Sequence, residues 1–439
     1  MIRPARTLLL GLAAFASLLG CSRQDDRTEI YLQRFFGECG AVYGAAVDLS
    51  AAEGECGIIT ALINRFNAEN PDVHVEVNVV AWPGYPQLAA QLAAGDPPDL
   101  VTMHQDFIAD YMTRGLLEPI DPLLAQAGIG PQNFTAAARR GVVKGGRVWA
   151  LPWDTVGGLW HVNTRLFQQA GLWRGGHPVF PTSPEELIAH ARQFRARTGR
   201  PYLIQSQVND PATHVRNFYT FYLAQGVPVF PQPNRIRLAT PEAKQVIEFL
   251  RLLNSEGLST RDQDNPAAIA SFMNGEGGVF PTGTWMIGNF QQEAETEGRP
   301  LHASYSVYPY PRLFGQRPTP VVGGHSWVMP ARERSDAQRA AIARLFRFMA
   351  AHNFDWSRTG HIPAFQAVVD SPEFRALPHR TNIAPLAETG TPFPAVKLQG
   401  PIEGLVGEEI SAAIMGQKDV DAALRDAERR VNELLAVSF

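Results

Sequence analysis

Gly324-His325-Ser326-Trp327-Val328 stops one residue short of the GxSxG turn that exposes a serine nucleophile. The last glycine of that motif lets strand and helix pack around a strained turn. Val328 stands in its place, and Trp-Val-Met reads on as a strand, so no acyl-transfer chemistry is expected at Ser326. Glycoside hydrolysis needs two carboxyl groups flanking one bond. Asp106, Asp154 and Asp210 could supply such a pair, but nothing in their spacing sets two of them face to face. An exported carbohydrate-active hydrolase is the enzymatic alternative on these residues. There is no HExxH, no GxxxxGK[ST] and no GxGxxG after a strand. His302, His325 and His361 are scattered and read as surface or hydrogen-bonded histidines, not metal ligands. No catalytic residue, metal or cofactor is expected.

The chain that must position these groups has 439 residues, enough for two or three domains of roughly 150 residues. Hydrophobic residues make up 45% and charged residues 19%, which supports a large core and excludes wholesale disorder. Lys and Arg number 39 against 43 Asp and Glu, so a general nucleic-acid binder is not expected. Arg3 and Arg6 precede an apolar run, Thr7 to Leu19, that is shorter than the roughly 20 residues of a membrane span. This is a signal peptide covering residues 1–20. Leu18-Leu19-Gly20-Cys21 resembles a bacterial lipobox, which implies lipidation of Cys21 and a tether over 21–27. Only 3 Cys are present. With Cys21 lipidated, Cys39 and Cys56 remain in an oxidising compartment, where a disulfide between them is expected.

Helical and strand signals alternate along the mature chain. Glu29 to Phe36 opens a strand; Ile58, Ile59, Leu62, Ile63 and Phe66 recur at helical spacing; Val73, Val75, Val77 and Val79 alternate as a strand does. Asp99 to Met103 and Val148 to Pro152 are further strands. Ser183-Pro184-Glu185-Glu186 is a capping box, and Thr240-Pro241 and Asn265-Pro266 mark other helix starts. A helix from Ser335 carries Ile342, Leu345, Phe346 and Met349 on one face, and a last helix runs from about Val420 to Leu435. The order predicts an α/β fold with largely parallel sheets in two lobes.

The order of motifs resembles the extracellular solute-binding proteins of ABC importers, in the carbohydrate-binding, maltose-binding-protein-like group. The resemblance is carried by LINRFNAENPDVHV from Leu62 to Val75; by Pro98-Asp99-Leu100-Val101 followed by Arg114-Gly115-Leu116-Leu117-Glu118-Pro119-Ile120; and by Gly146 to Asn163. It continues in Phe272 to Glu276 with Gly283-Thr284-Trp285, in Gly323-Gly324, in Thr359 to Pro363, and in Ala422 to Leu434. It implies a two-lobed periplasmic-binding-protein fold with a ligand cleft between lobes. The first lobe would hold residues 28–152 and a return near 312–345; the second would hold 156–308 and 346–439. The implied function is capture of a sugar, di- or oligosaccharide, and delivery to ABC permease subunits. The protein would act as a monomer, periplasmic or at the cell surface, anchored through Cys21. A glycerophosphodiester, polyol or peptide ligand is the alternative within the binding class.

A sugar offers flat C–H faces and a rim of hydroxyls, so its site calls for aromatic rings and hydroxyl acceptors, carboxylates above all. The candidate ligand residues are Trp82, Gln105, Asp106, Trp153, Asp154, Asp210, Trp285, Gly324 and His325. Asp106 is expected to accept a sugar hydroxyl, with an N-cap for a helix over 107–114 as its other reading. Trp285 is expected as the stacking platform, beside the space left by Gly283. Phe35 to Gly57 departs from the family pattern and brings Phe36 and Tyr43 forward as further candidates.

Overall fold

The computed structural model describes residues 27–315, 321–394 and 396–437. The signal peptide, Cys21 and all of the tether but Arg27 lie outside the described residues. The chain opens with strand β1 (Thr28–Arg34), helix α1 (Gly54–Glu69), β2 (Val73–Val79), α2 (Tyr85–Ala94) and β3 (Leu100–His104). It continues through β4 (Leu117–Glu118), β5 (Ala150–Pro152) and the long β6 (Asp154–Asn163) to helix α3 (Pro211–Ala224). Strands β7 (Val279–Gly283), β8 (Tyr305–Pro309), β9 (Val321–Gly323) and β10 (His325–Pro330) follow, then α4 (Asp336–Ala351), β11 (Ile362–Pro363), β12 (Thr391–Pro392), α5 (Gln399–Ile414) and α6 (Val420–Ala436).

Two mixed sheets result. The first has the order β2-β1-β3-β10-β4, with β5 also on β10. Here β1 is parallel to β2 (Ile30↔Val75) and β3 (Leu32↔Leu100), while β10 runs antiparallel to β3 (His325↔His104) and β5 (Ser326↔Pro152). The second sheet has the order β7-β6-β9-β12, with β8 and β11 also on β6. Trp160 of β6 faces Pro281 of β7 and Tyr308 of β8, so these two strands occupy its opposite edges. All four neighbours of β6 are antiparallel to it, and only β9 and β12 are parallel. The expectation of largely parallel sheets therefore fails in the second lobe. The cause is the path of the chain: β6 leaves the first lobe and β9 heads back toward it, so the crossing strands must oppose one another.

Strand alternation divides the cores. Ile30, Leu32, Leu62, Leu100, Trp153, Trp327 and Phe346 share one core in the first lobe. In the second lobe successive residues point to opposite faces of the sheet. Trp160 and Val279 join Phe218, Ile247, Val406 and Val431 on one side, whereas Leu159 and Phe280 join Phe272 and Phe290 on the other. The lobe boundaries differ from those expected. Leu313, Phe314 and Val321 still belong to the second core, so the return begins at Gly323–His325 and not near 312. Helix α4 is not divided at 345: Ile342, Leu345, Phe346 and Met349 form one continuous apolar stripe, and all of it lies in the first core together with Trp356. Helix starts follow their caps. Ser335 and Gln338 form a capping box on α4. Ser183 accepts from Glu186 N–H at 3.2 Å, but the Glu186 carboxylate turns to Thr182, one residue earlier than a capping box requires. Asp264, not Asn265, caps the helix Asn265–Met273. Among the described residues no helix is long and apolar enough to cross a membrane.

Candidate ligand cleft

Between the lobes lies a cavity of about 180 Å³. The first lobe supplies Trp82, Pro83, Tyr85, His104, Asp106 and Phe107. Trp82 and Pro83 sit in a turn with a cis peptide bond between them, closed by Gly84 at φ 76°. A Cβ on Gly84 would fall 2.5 Å from Val80, so the turn needs glycine for space as well as for conformation. The turn leaves Trp82 62% exposed beside the edge of the His104 ring. Tyr85 starts α2, and its hydroxyl accepts the His104 backbone N–H at 3.0 Å and is hydrogen-bonded to Nδ1 at 2.7 Å. Burial holds His104 well below the ordinary histidine range, so its ring is neutral. Asp106 lies on the 3₁₀ turn Gln105–Phe107, directly after the C-terminal end of β3. That is where open α/β sheets bind ligands.

The opposite wall comes from the second lobe: Ala212, Val215 and Arg216 on α3, Phe393 after β12, and Glu403 on α5. Burial and the nearby Glu403 push the Asp106 carboxyl up to about 7, with Arg216 opposing. Burial likewise raises Glu403, although Gln399 Nε2 donates to its Oε1 at 2.7 Å. Two carboxyl groups and one guanidinium thus face a space walled by Trp82, Tyr85, Phe107 and Phe393. That set can accept and donate hydrogen bonds around a rim while aromatic faces cover the apolar parts of a small solute. Asp106 does not cap the helix Ile108–Thr113, which has no side-chain cap bond.

The other residues expected at the site lie elsewhere. Trp153 is fully buried in the first core, against Trp327 and Trp356 at 5.9 and 5.7 Å. Asp154 is fully buried and accepts from the His325 backbone N–H (2.7 Å), His325 Nδ1 (2.8 Å) and Trp356 Nε1 (2.7 Å). Burial works against its charge, but His325 and His361 outweigh it and hold its pKa down to about 2. For His325 burial is again outweighed, by the Asp154 carboxylate, and its pKa is raised. Gln105 is buried, and its Nε2 donates to the Asp154 carbonyl at 3.1 Å. A Cβ on Gly324 would lie 2.3 Å from that same carbonyl. Asp154, His325, Gln105 and Gly324 therefore lock the crossing strands together below the cleft floor. Asp210 caps α3, accepting from Thr213 N–H at 3.0 Å.

Trp285 sits on a 3₁₀ turn, half-buried against the core around Phe272, with its ring folded over Gly283. The space at Gly283 is filled as expected, but by a ring turned to its own lobe. Phe36 is buried against His325 and Trp356 at 5.0 Å, and Tyr43 packs over Gly57. Cys39 and Cys56 are joined as a disulfide. Of the nine expected ligand residues, the cleft gathers Trp82 and Asp106. Sequence reasoning missed Tyr85, His104, Phe107, Arg216, Phe393 and Glu403. One signal was present for Arg216: it is the single exposed charge in a run of buried residues, His214 to Tyr222. Glu403 left no such mark, since acidic residues within helices are common.

Residues 57–351 match the family described as bacterial extracellular solute-binding protein. A Brucella abortus protein named as a binding protein is 25% identical over 236 residues, 52% of this chain and 55% of its own length. The match thus spans little more than half of that relative. The sn-glycerol-3-phosphate-binding periplasmic protein UgpB of Shigella dysenteriae is 24% identical over 421 residues, covering 87% of this chain and 90% of UgpB. The maltose-bound structure of T. maritima MalE3 superposes with a TM-score of 0.76 at 18% identity, over 93% of this chain and all of that one. The two share a fold.

Proposed function

Because the chain belongs to the bacterial extracellular solute-binding protein family, we propose that it captures a sugar, a di- or oligosaccharide, in the interlobe cleft and hands it to an ABC permease without catalysis. The carrying observation is the pairing of hydroxyl acceptors Asp106 and Glu403 with the aromatic walls Trp82, Tyr85, Phe107 and Phe393. Exposed Trp82 offers a flat face to the C–H surface of a ring. Asp106 accepts hydroxyls, and Arg216, whose guanidinium has no hydrogen bond or ion pair among the described residues, donates to ring or hydroxyl oxygens. Closure of the two lobes about the crossing strands would enclose the ligand. The signal peptide and the Cys21 lipobox support an exported, lipid-anchored protein on the outer side of a bacterial membrane.

A glycerol phosphate is the second reading, favoured by Arg216 and by the resemblance to UgpB. Against it stand Asp106 and Glu403, two carboxyl groups that in their ionised forms would repel a phosphate dianion in the same space. A thermal-shift screen of mono- to oligosaccharides, with sn-glycerol 3-phosphate and glycerophosphodiesters included, decides between them. Stabilisation by a sugar that is recovered unchanged is the expected result. Stabilisation by the phosphate alone, or conversion of the sugar to product, would overturn the reading.

A further inference from the structure

Below the cleft floor the three crossings between the lobes converge on one polar cluster. Asp154 begins β6 at the first crossing, His325 begins β10 at the second, and His361 precedes β11 at the third. Glu55 reaches the cluster from the first turn of α1. Ligating atoms of Asp154, His325 and His361 all lie within 4.8 Å of one another, and the three side chains are buried.

The hydrogen bonds fix the tautomer of His361. The Thr359 hydroxyl donates its one proton to the Trp356 carbonyl at 2.6 Å. It can therefore only accept from His361 Nδ1, also at 2.6 Å. Nδ1 carries the proton, and Nε2 presents a lone pair. That lone pair is fully buried, has no hydrogen-bond partner, and faces Glu55 Oε1 at 3.3 Å and Asp154 Oδ2 at 3.9 Å. Asp154 Oδ2 already accepts from His325 Nδ1 and Trp356 Nε1, so the unanswered acceptor of the cluster is His361 Nε2, and a cation beside it would answer it.

We propose that Glu55, Asp154 and His361 form a divalent transition-metal site at the hinge, with His325 and Trp356 holding Asp154 in place from behind. The donor set, one imidazole and two carboxylates, suits zinc. In a tetrahedron with bonds of ~2.0–2.1 Å, neighbouring ligand atoms are about 3.3 Å apart; His361 Nε2 lies 3.3 Å from Glu55 Oε1 and 3.9 Å from Asp154 Oδ2. The Thr359 hydroxyl on Nδ1 is the outer hydrogen bond that orients a metal-binding histidine. The Glu55 side chain is 33% exposed, which gives an ion a route in and leaves the fourth position to solvent. An ion here ties α1 of the first lobe to the first and third crossings, so it would stiffen the hinge about which the cleft closes.

Chelator-treated mature protein is titrated with ZnCl₂ by calorimetry, and melting is followed in parallel. One equivalent should bind, raise Tm, and be reversed by EDTA. Glu55→Gln and His361→Ala should each weaken binding at least tenfold. His74→Gln, at a surface His–Glu pair remote from the hinge, should bind zinc as the unaltered protein does. If His361→Ala fails to fold, Glu55→Gln carries the test, since Glu55 makes no hydrogen bond that holds α1. No stoichiometric binding, affinity unchanged in Glu55→Gln, or loss in His74→Gln instead would overturn the site.

Discussion

Replacing Trp82 with alanine separates a ligand platform from a structural tryptophan. Trp82 keeps 62% of its surface exposed. An indole side chain offers about 250 Å² at most, which leaves roughly 150 Å² free. A flat ligand resting on one face covers about half of that, ~75 Å², or ~2 kcal/mol at ~25 cal/mol/Å². The Kd of the best sugar from the screen should then rise about 25-fold. The covered remainder of the side chain, roughly 95 Å², caps the stability loss at ~2 kcal/mol, since unfolded-state compaction lowers it further. Tm should fall by no more than about 4 °C. Calorimetric titration gives the first quantity and scanning calorimetry the second. A Kd unchanged within about threefold, or loss of binding in Trp285→Ala but not Trp82→Ala, would refute the assignment and return the platform to the second lobe.

Asp106→Asn keeps the shape of the cleft but replaces a carboxyl acceptor with an amide, so above about pH 7, where Asp106 is ionised, sugar affinity should drop by about 1–3 kcal/mol with little change in melting; equal affinity would remove Asp106 from the site. Trp153→Ala should cost roughly 3–5 kcal/mol of stability, read by denaturant unfolding, while any folded protein binds sugar normally. Cys39 and Cys56 are 17 residues apart, so the double serine variant should lose about 3 kcal/mol in the chain-entropy picture. Non-reducing mass spectrometry should find no free thiol on either residue. His161 is buried and held neutral, its pKa pushed down to about 3 by burial, with Nε2 donating to the Gly283 carbonyl and Nδ1 accepting from Tyr305. The unfolded chain binds a proton that the folded chain refuses, so this residue removes stability as pH falls from about 6.5 toward 3, by ~3 kcal/mol at pH 4. His161→Gln, which keeps a donor and an acceptor, should flatten the stability profile between about pH 4 and 6.5 relative to the unaltered protein; an unchanged slope would refute the assignment.

What the sequence disclosed and what it withheld divide along one physical line. Periodicity and capping are local, so β1, β2, α4 and α6 could be placed from apolar spacing, and the starts of α4 and of the helices Pro184–Thr198 and Pro241–Ser255 from Ser335, Ser183 and Thr240. Asp106 was legible for the same reason: it follows a buried strand, and strand ends are where α/β sheets meet ligands. Trp153 and Trp285 were misplaced because a tryptophan beside a strand end or a glycine turn has the same local context whether it faces the cleft or the core. Only the packing partners decide, and for Trp153 these are Trp327 on the neighbouring strand β10 and Trp356, far later in the chain. Asp154 and His325 carry the same lesson with more force. Each looks like a site residue on its own, and their 2.8 Å pairing across 171 residues satisfies both. His361 completes that cluster, and its single unanswered atom is Nε2. The polar chemistry of this chain thus falls into two separate places. The cleft has open, partly exposed acceptors suited to a ligand that comes and goes. The hinge has buried, oriented groups, with His361 Nε2 unanswered beside Glu55 and Asp154, as are Trp153 Nε1 and Thr155 Oγ1 on either side of Asp154. Under the proposed function, discrimination among ligands would belong to the first, and the ease with which the lobes close to the second.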